Sequence, residues 1–488
     1  MARLKILYLA SELFPLVKTG GLADVAASLP AALKKARHDV RILLPAYRCV
    51  LRQLSRPKFL GCLDLDTPTS VRILETTLPH TRVKVWLVDS PSHFDRDGGP
   101  YLDDTGQEWP DNAERFTVFA KAAEQLISTD RITTWSPQIV HCNDWQSGLL
   151  PALLSTTENR PKILFTIHNL AYQGNFPATT FGFLAERYAI PQTLWGIHGV
   201  EFYGRFSFMK SGLQFADWIN TVSPTYAREI LTPEFAHGME GLLRHRIDRL
   251  SGILNGIDYE LWNPESDPYL DTHYSAQTLE HKQRNKSALQ RQLNLDEQDR
   301  LALIGTIGRL VEQKGIDLII DILPWLMSQP VQLVILGSGL NQFESRLQQW
   351  QSRFPRRLSV NFGYDEALAH RIEAAADMFL MPSRFEPCGL NQMYSLHYGT
   401  PPIVRHTGGL ADTVVDSHTA TLADGTANGF VFEPPHAEAL QHAVGRALAM
   451  YHDQPAWRQI AQRGMTTDFS WEKSAQEYIR LYHQLLTL

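Results

Sequence analysis

Ala374-Ala375-Ala376-Asp377-Met378-Phe379-Leu380-Met381-Pro382 runs straight into Ser383-Arg384-Phe385-Glu386-Pro387-Cys388-Gly389-Leu390. The first part reads as a helix end followed by a short buried strand. Gly389 is then expected to open a helix through Asn391-Gln392-Met393-Tyr394-Ser395-Leu396. A carboxylate, Glu386, and a thiol, Cys388, therefore stand in a turn between a strand's carboxyl end and a helix's amino end. Open parallel sheets bind ligands in that crevice, and helix amino ends favour anionic groups. An acidic residue at a helix start can also be a simple dipole partner. Two further segments strengthen the ligand reading: Arg309 with Lys314, and Lys18 with Gly20-Gly21.

The chain has 488 residues, too many for one core, so two domains are expected. Apolar content of 44% and charged content of 20% fit a soluble globular protein. With a net charge of −6 there is no global basic field for nucleic acid or an anionic membrane. An anionic ligand would need a local basic cluster. Cys49, Cys62, Cys142 and Cys388 form no CxxC pair, which argues against a zinc site or a disulfide framework. Reduced thiols in the cytoplasm fit better. The apolar start, Leu4 to Ala10, is interrupted by Glu12 and reads as a first strand rather than a signal core. No run approaches a membrane span.

In the first half, Lys5-Ile6-Leu7-Tyr8-Leu9-Ala10 is a buried parallel strand. Lys18-Thr19-Gly20-Gly21-Leu22-Ala23-Asp24-Val25 then leads into a helix. A glycine pair before a helix lets backbone N–H groups approach a phosphate or sugar, and Lys18 adds a point charge. The same residues also fit a plain strand–helix turn with a solvated lysine. The GK[ST] end of a Walker A loop is missing. Val71–Glu75 and Val83–Asp89 look like strands of an antiparallel addition. Phe94 to Asn112 is a long loop, and long loops in compact domains are usually functional. Tyr101 in it is either a sugar-contacting ring or a structural tyrosine. Asp144 and His168-Asn169 stand at the ends of successive strands, where they can face a site.

In the second half, strand–helix alternation restarts at Leu301 to Gly308, so the domain junction is placed near 250. Arg309 and Lys314 follow in a glycine-bounded loop, a pattern that suits a diphosphate: Arg bidentate, Lys as a point charge. The glycine-rich turn after Val331–Leu336 is an incomplete dinucleotide fingerprint and is not read as an NAD site. Tyr364 ends another strand and can stack on a base. Thr407-Gly408-Gly409-Leu410-Ala411-Asp412 echoes Thr19-Gly20-Gly21-Leu22-Ala23-Asp24. One such turn in each half implies two similar domains whose turns face each other across a cleft. Trp471 to Leu488 reads as an amphipathic helix that packs back on the first domain.

Taken together, these segments resemble the bacterial glycogen synthases, the starch-synthase type of retaining glucosyltransferase. The resemblance covers nearly the whole chain. It is carried by Lys18 to Leu22, His141 to Trp145, Thr166 to Leu170, Arg309 with Lys314, Ser383 to Leu390, and Thr407 to Leu410. It implies an α/β fold of the GT-B type, with two Rossmann-like domains on either side of a deep cleft. Residues 1–249 would form the acceptor side and 250–460 the donor side, with 461–488 a helix crossing back. The implied reaction extends an α-1,4-glucan at its non-reducing end from ADP-glucose. ADP-glucose and the glucan are the implied partners, with no cofactor, no metal, no nucleic acid and no membrane.

The resemblance also implies roles. Arg309 and Lys314 would clamp the diphosphate, and Lys18, Gly20 and Gly21 would close on the donor. Glu386 would contact the sugar hydroxyls, with Cys388, Gly389 and Leu390 beside it. His168 would lie beneath the reacting face. Asp24, Tyr101, Asp144, Asn169 and Asn255 would be further substrate contacts. Tyr364 would stack on the base, and Thr407, Gly408 and Gly409 would serve the phosphate. Asn143 departs from relatives that carry histidine before Asp-Trp. Retention is open to a covalent carboxylate intermediate or to front-face return; the second is favoured because Glu386 is otherwise engaged. A transferase using UDP-glucose or a small acceptor, a phosphorylase, and a silent glucan-binding protein remain as alternatives.

Overall fold

The computed structural model describes residues 3–65 and 70–488. They gather into two compact units. One runs to Gly256 and resumes with Trp471–Leu488; the other is Ile257–Ser470. The junctions expected from the sequence lie at 250 and 461.

The strands, in chain order, are β1 Lys5–Leu9, β2 Asp39–Pro45, β3 Lys58–Asp64, β4 Ser70–Thr77, β5 Lys84–Asp89, β6 Ile139–Asn143, β7 Lys162–Ile167, β8 Asn175–Pro177, β9 Glu201–Phe202, β10 Arg205–Ser207, β11 Trp218–Thr221 and β12 Leu250–Gly252 in the first unit. The second unit has β13 Ala302–Ile307, β14 Val331–Leu336, β15 Leu358–Asn361, β16 Met378–Met381, β17 Pro402–Arg405 and β18 Phe430–Phe432.

The first unit's main sheet has the order β12-β11-β7-β6-β1-β2-β5-β4-β3. Strands β12 to β5 run parallel, and β4 and β3 add antiparallel at one edge. The strands that the sequence marked by unbroken apolar runs are the buried ones. Ile6 to Leu9, Ile139 to Asn143 and Ile163 to Ile167 are buried throughout. The second sheet has the order β15-β14-β13-β16-β17-β18, all parallel. Both units are thus doubly wound, Rossmann-like α/β folds. The strand order reverses between β1 and β6 in one, and between β13 and β16 in the other. Such a reversal opens a crevice at the carboxyl ends of the two strands.

The helix Trp471–Leu485 belongs to the first unit. It buries Trp471, Ala475, Tyr478, Ile479, Leu481, Tyr482 and Leu485. Each large apolar side chain removed from water contributes roughly 1.5–3 kcal/mol. Its tyrosine hydroxyls stay paired inside that core: Tyr482 with His141 at 2.8 Å and Tyr478 with Asn220 at 3.2 Å. No helix among the described residues is long and apolar enough to cross a membrane.

Candidate functional site

In the second unit, β13 delivers the loop that carries Arg309 and Lys314, and β16 delivers Ser383 to Leu390. The two loops flank the strand-order reversal, and there they meet. Lys314 Nζ lies 2.5 Å from Glu386 Oε2. Ser383 Oγ donates to the same oxygen at 3.0 Å. The Glu386 side chain is 9% exposed and that of Lys314 23%. The pair is therefore largely withdrawn from water. Gly315, at φ 68°, lets the Lys314 turn pass over Pro382: a Cβ there would stand 2.1 Å from the Pro382 carbonyl oxygen. Arg309 is exposed and donates to Gln313 Oε1 at 3.2 Å. Gln313 in turn accepts the Arg384 N–H on its backbone oxygen at 2.8 Å. Thr306 to Leu310, Lys314, Leu380, Met381 and Ser383 line a small cavity at this point.

The helix after Glu386 begins at Asn391, not at Gly389 as the sequence reading had it. Gly389 sits at φ 74°, outside helical geometry, and Leu390 is the cap. Cys388 is buried, and its carbonyl accepts from Gln392 Nε2 at 3.1 Å. Thr407, Gly408 and Gly409 pack on this same loop. A Cβ on Gly408 would meet the Glu386 carbonyl oxygen at 1.9 Å, and one on Gly409 the Cys388 carbonyl oxygen at 2.1 Å. The Gly409 N–H is donated to the Glu386 and Pro387 carbonyls at 3.2 Å each. That N–H, expected from the resemblance to serve a phosphate, is here turned to the Glu386 loop, and the glycine pair lets the turn pack against it. Tyr364 follows β15 at the same end of the sheet. It is 76% exposed, with its hydroxyl bonded to Glu366.

In the first unit the candidates follow β1, β6, β7 and β12. Lys18 Nζ pairs with Asp24 Oδ1 at 3.0 Å and lies 5.4 Å from the Phe14 ring centre. The Lys18 loop is shaped by Glu12, which in the sequence stands out only as an interruption of the apolar start. Glu12 Oε2 accepts the Thr19 N–H at 2.5 Å and the Gly20 N–H at 2.9 Å. Its Oε1 accepts the Tyr101 hydroxyl at 2.8 Å. Tyr101 Oη also lies 2.7 Å from Ser11 Oγ. The long loop is thus anchored to the Lys18 turn through one carboxylate. The sequence signal for Glu12 was an acid directly after an apolar strand. A Cβ on Gly20 would meet nothing within 4 Å, so this turn is open where the Gly408 turn is packed.

Asp144 stands at φ 54°, a conformation that most L residues avoid. Its Oδ1 accepts the His168 N–H at 2.7 Å and the Asn169 N–H at 3.4 Å. Burial pushes its carboxyl up to about 7, against those two donors, which lower it. Burial likewise holds the His168 imidazole down at about 3. His168 Nε2 lies 2.9 Å from Asn143 Oδ1. Asn169 Oδ1 accepts the Ala171 N–H at 3.0 Å. Asn255 is buried, and its Oδ1 has no hydrogen-bond partner among the described residues. Each unit thus gathers its own candidates at the strands' carboxyl ends. The first offers acceptors and one lysine; the second offers cations around one carboxylate.

Residues 5–245 match the family described as starch synthase catalytic domain, and residues 285–464 the glycosyl transferases group 1 family. The chain is 53% identical over 483 residues to glycogen synthase 1 of Methylococcus capsulatus, covering 99% of this chain and 97% of that one. It is 50% identical over 484 residues to glycogen synthase 2 of Nitrosococcus oceani, covering 99% and 98%. Among solved structures it is similar to the catalytic domain of starch synthase IV from Arabidopsis thaliana bound to ADP and acarbose. That similarity has a TM-score of 0.87 at 33% identity and covers 100% of both chains.

Proposed function

Because the chain belongs to the bacterial glycogen synthase family and has its GT-B type fold, we propose that it transfers glucose from ADP-glucose to the non-reducing end of an α-1,4-glucan with retention of configuration. The observation that carries the reading at the level of residues is the Lys314–Glu386 pair at the strand reversal of the second unit. We take that unit as the donor side and the first as the acceptor side, and we place the reaction in the cytoplasm.

In the proposed reaction the bond between the anomeric carbon and the diphosphate oxygen breaks, and its electron pair leaves with ADP. Arg309 and Lys314 offset the charge that builds on the diphosphate, and each such contact typically lowers the barrier by roughly 3–4 kcal/mol. Glu386 accepts from the sugar hydroxyls through the oxygen that Lys314 does not hold. Cys388, Gly389 and Leu390 shape the same loop, and Thr407 with Gly408 and Gly409 buttresses it. Tyr364 offers a ring to the base. In the first unit, Lys18, Gly20, Gly21 and Asp24 are candidates to bind substrate. Asp144, Asn169 and Asn255 supply acceptors and donors for sugar hydroxyls, and Tyr101 acts through Glu12. His168, held uncharged by burial, adds no positive charge to the first unit's candidate site. The acceptor's O4 attacks the face that ADP leaves, and its proton passes to the departing diphosphate.

The test is transfer of radiolabelled glucose to glycogen from ADP-glucose beside UDP-glucose. Label is expected in polymer from ADP-glucose, in α-1,4 linkage. No transfer from ADP-glucose under any acceptor would overturn the proposal.

A further inference from the structure

The bonds around Asn143 decide the protonation of His168. Asn143 Nδ2 donates to the Leu9 carbonyl at 2.8 Å. A carbonyl oxygen only accepts, so the amide cannot be turned round, and Oδ1 faces the other way. There it receives the Tyr8 hydroxyl at 3.1 Å and meets His168 Nε2 at 2.9 Å. Two acceptors do not hydrogen-bond each other, so Nε2 must carry the hydrogen. In a neutral imidazole the other nitrogen, Nδ1, is then a lone-pair acceptor.

We propose that Asn143 is a positioning residue for His168, fixing the proton on Nε2 so that Nδ1 is left as a lone-pair acceptor for a substrate hydroxyl. This rests on the transferase reading given above. Asn143 is itself locked. It is fully buried on β6, beside β1, which supplies both Tyr8 and Leu9. Tyr8 packs edge-on against His141 at 4.7 Å between ring centres. His141 is held between the Tyr482 hydroxyl at 2.8 Å and Thr166 Oγ1 at 2.7 Å. The support behind His168 thus reaches into the helix Trp471–Leu485. A ring held in one tautomer presents one acceptor and no donor to the sugar. It selects a hydroxyl donor at that position without adding a charge there.

The test uses the full chain labelled with 15N-histidine. Long-range 1H–15N correlation spectra report the tautomer, and the His168 signals are assigned by their loss in His168→Gln. The wild type is expected to show a single Nε2–H tautomer from pH 6 to pH 8. An Nδ1–H or mixed pattern there overturns the proposal, whatever the variants do. In Asn143→Leu the tautomers are expected to mix, and kcat for glucosyl transfer to fall about tenfold or more. A variant that keeps the Nε2–H pattern, or loses it while transferring at the wild-type rate, also overturns it. A wild-type chain that shows the Nε2–H tautomer yet transfers no glucose would overturn the transferase reading and leave the tautomer assignment standing.

Discussion

Replacing Lys314 by alanine removes one ammonium group with two separable consequences. The first is on stability. Glu386 Oε2 has Lys314 Nζ at 2.5 Å and Ser383 Oγ at 3.0 Å. Without the lysine, a carboxylate only 9% exposed keeps a single neutral donor. Hydrogen bonds to charged groups contribute about 1.5–3 kcal/mol, and breaking a fully buried pair costs about 3–5 kcal/mol. The lysine side chain is 23% exposed, so water softens the loss, and about 2 kcal/mol is expected. The second consequence is on transfer. The lysine no longer offsets the diphosphate charge, which raises the barrier by about 3–4 kcal/mol, or roughly 100- to 1,000-fold in kcat. A stability loss of that size leaves nearly all molecules folded at 25 °C, so it cannot account for the rate loss. Urea unfolding followed by circular dichroism measures the first effect. Radiolabelled transfer from ADP-glucose measures the second, and Glu386→Gln in a double-mutant cycle isolates the pair. A folded Lys314→Ala variant within about threefold of the wild-type kcat would refute the role given to this lysine.

Three further outcomes are expected. Glu12→Ala strips the Thr19 and Gly20 N–H groups and the Tyr101 hydroxyl of their shared acceptor; it should cost about 1–3 kcal/mol of stability and raise the KM for ADP-glucose about tenfold. An unchanged KM would show that the Lys18 turn holds its shape without it. Gly409→Ala forces a Cβ to within 2.1 Å of the Cys388 carbonyl oxygen and should destabilise the second unit by about 1–3 kcal/mol, read by urea unfolding, whereas Gly20→Ala meets nothing within 4 Å and should unfold at the wild-type midpoint. His168→Gln should flatten the acid side of the stability profile. Its native imidazole titrates near 3 against 6.5 in the unfolded chain, so the unfolded state binds the extra proton and stability drains away as pH falls from 6.5 towards 3. Between pH 7 and pH 5 the wild type should lose about 2 kcal/mol more than the variant in unfolding free energy.

Much of the fold was legible because buried parallel strands need continuous apolar runs. Ile6 to Leu9, Ile163 to Ile167 and Met378 to Met381 each announce a strand, and the polar residues that follow each run fall at its carboxyl end. Lys18, Asp144, His168, Arg309, Lys314 and Glu386 could therefore be set at strand ends from spacing alone. The helix Trp471–Leu485 was legible from its apolar stripe. β3 was not, since its residues are largely exposed at the sheet edge and carry no strong period.

The order of residues along the chain thus decided which side chains stand at strand ends, because burial imposes a periodicity that one dimension can display. What each of them touches was decided only in three dimensions. Thr19-Gly20-Gly21 and Thr407-Gly408-Gly409 read alike, yet one turn is open and bonded to Glu12, while the other is pressed against the backbone of Glu386 to Cys388. Lys314 and Glu386 lie 72 positions apart and meet because β13 and β16 are neighbours. Asn143 orients His168 because β1 runs beside β6 and supplies Leu9 and Tyr8. Hydrogen bonds act over about 3 Å, and strand pairing, not sequence distance, sets which groups come that close.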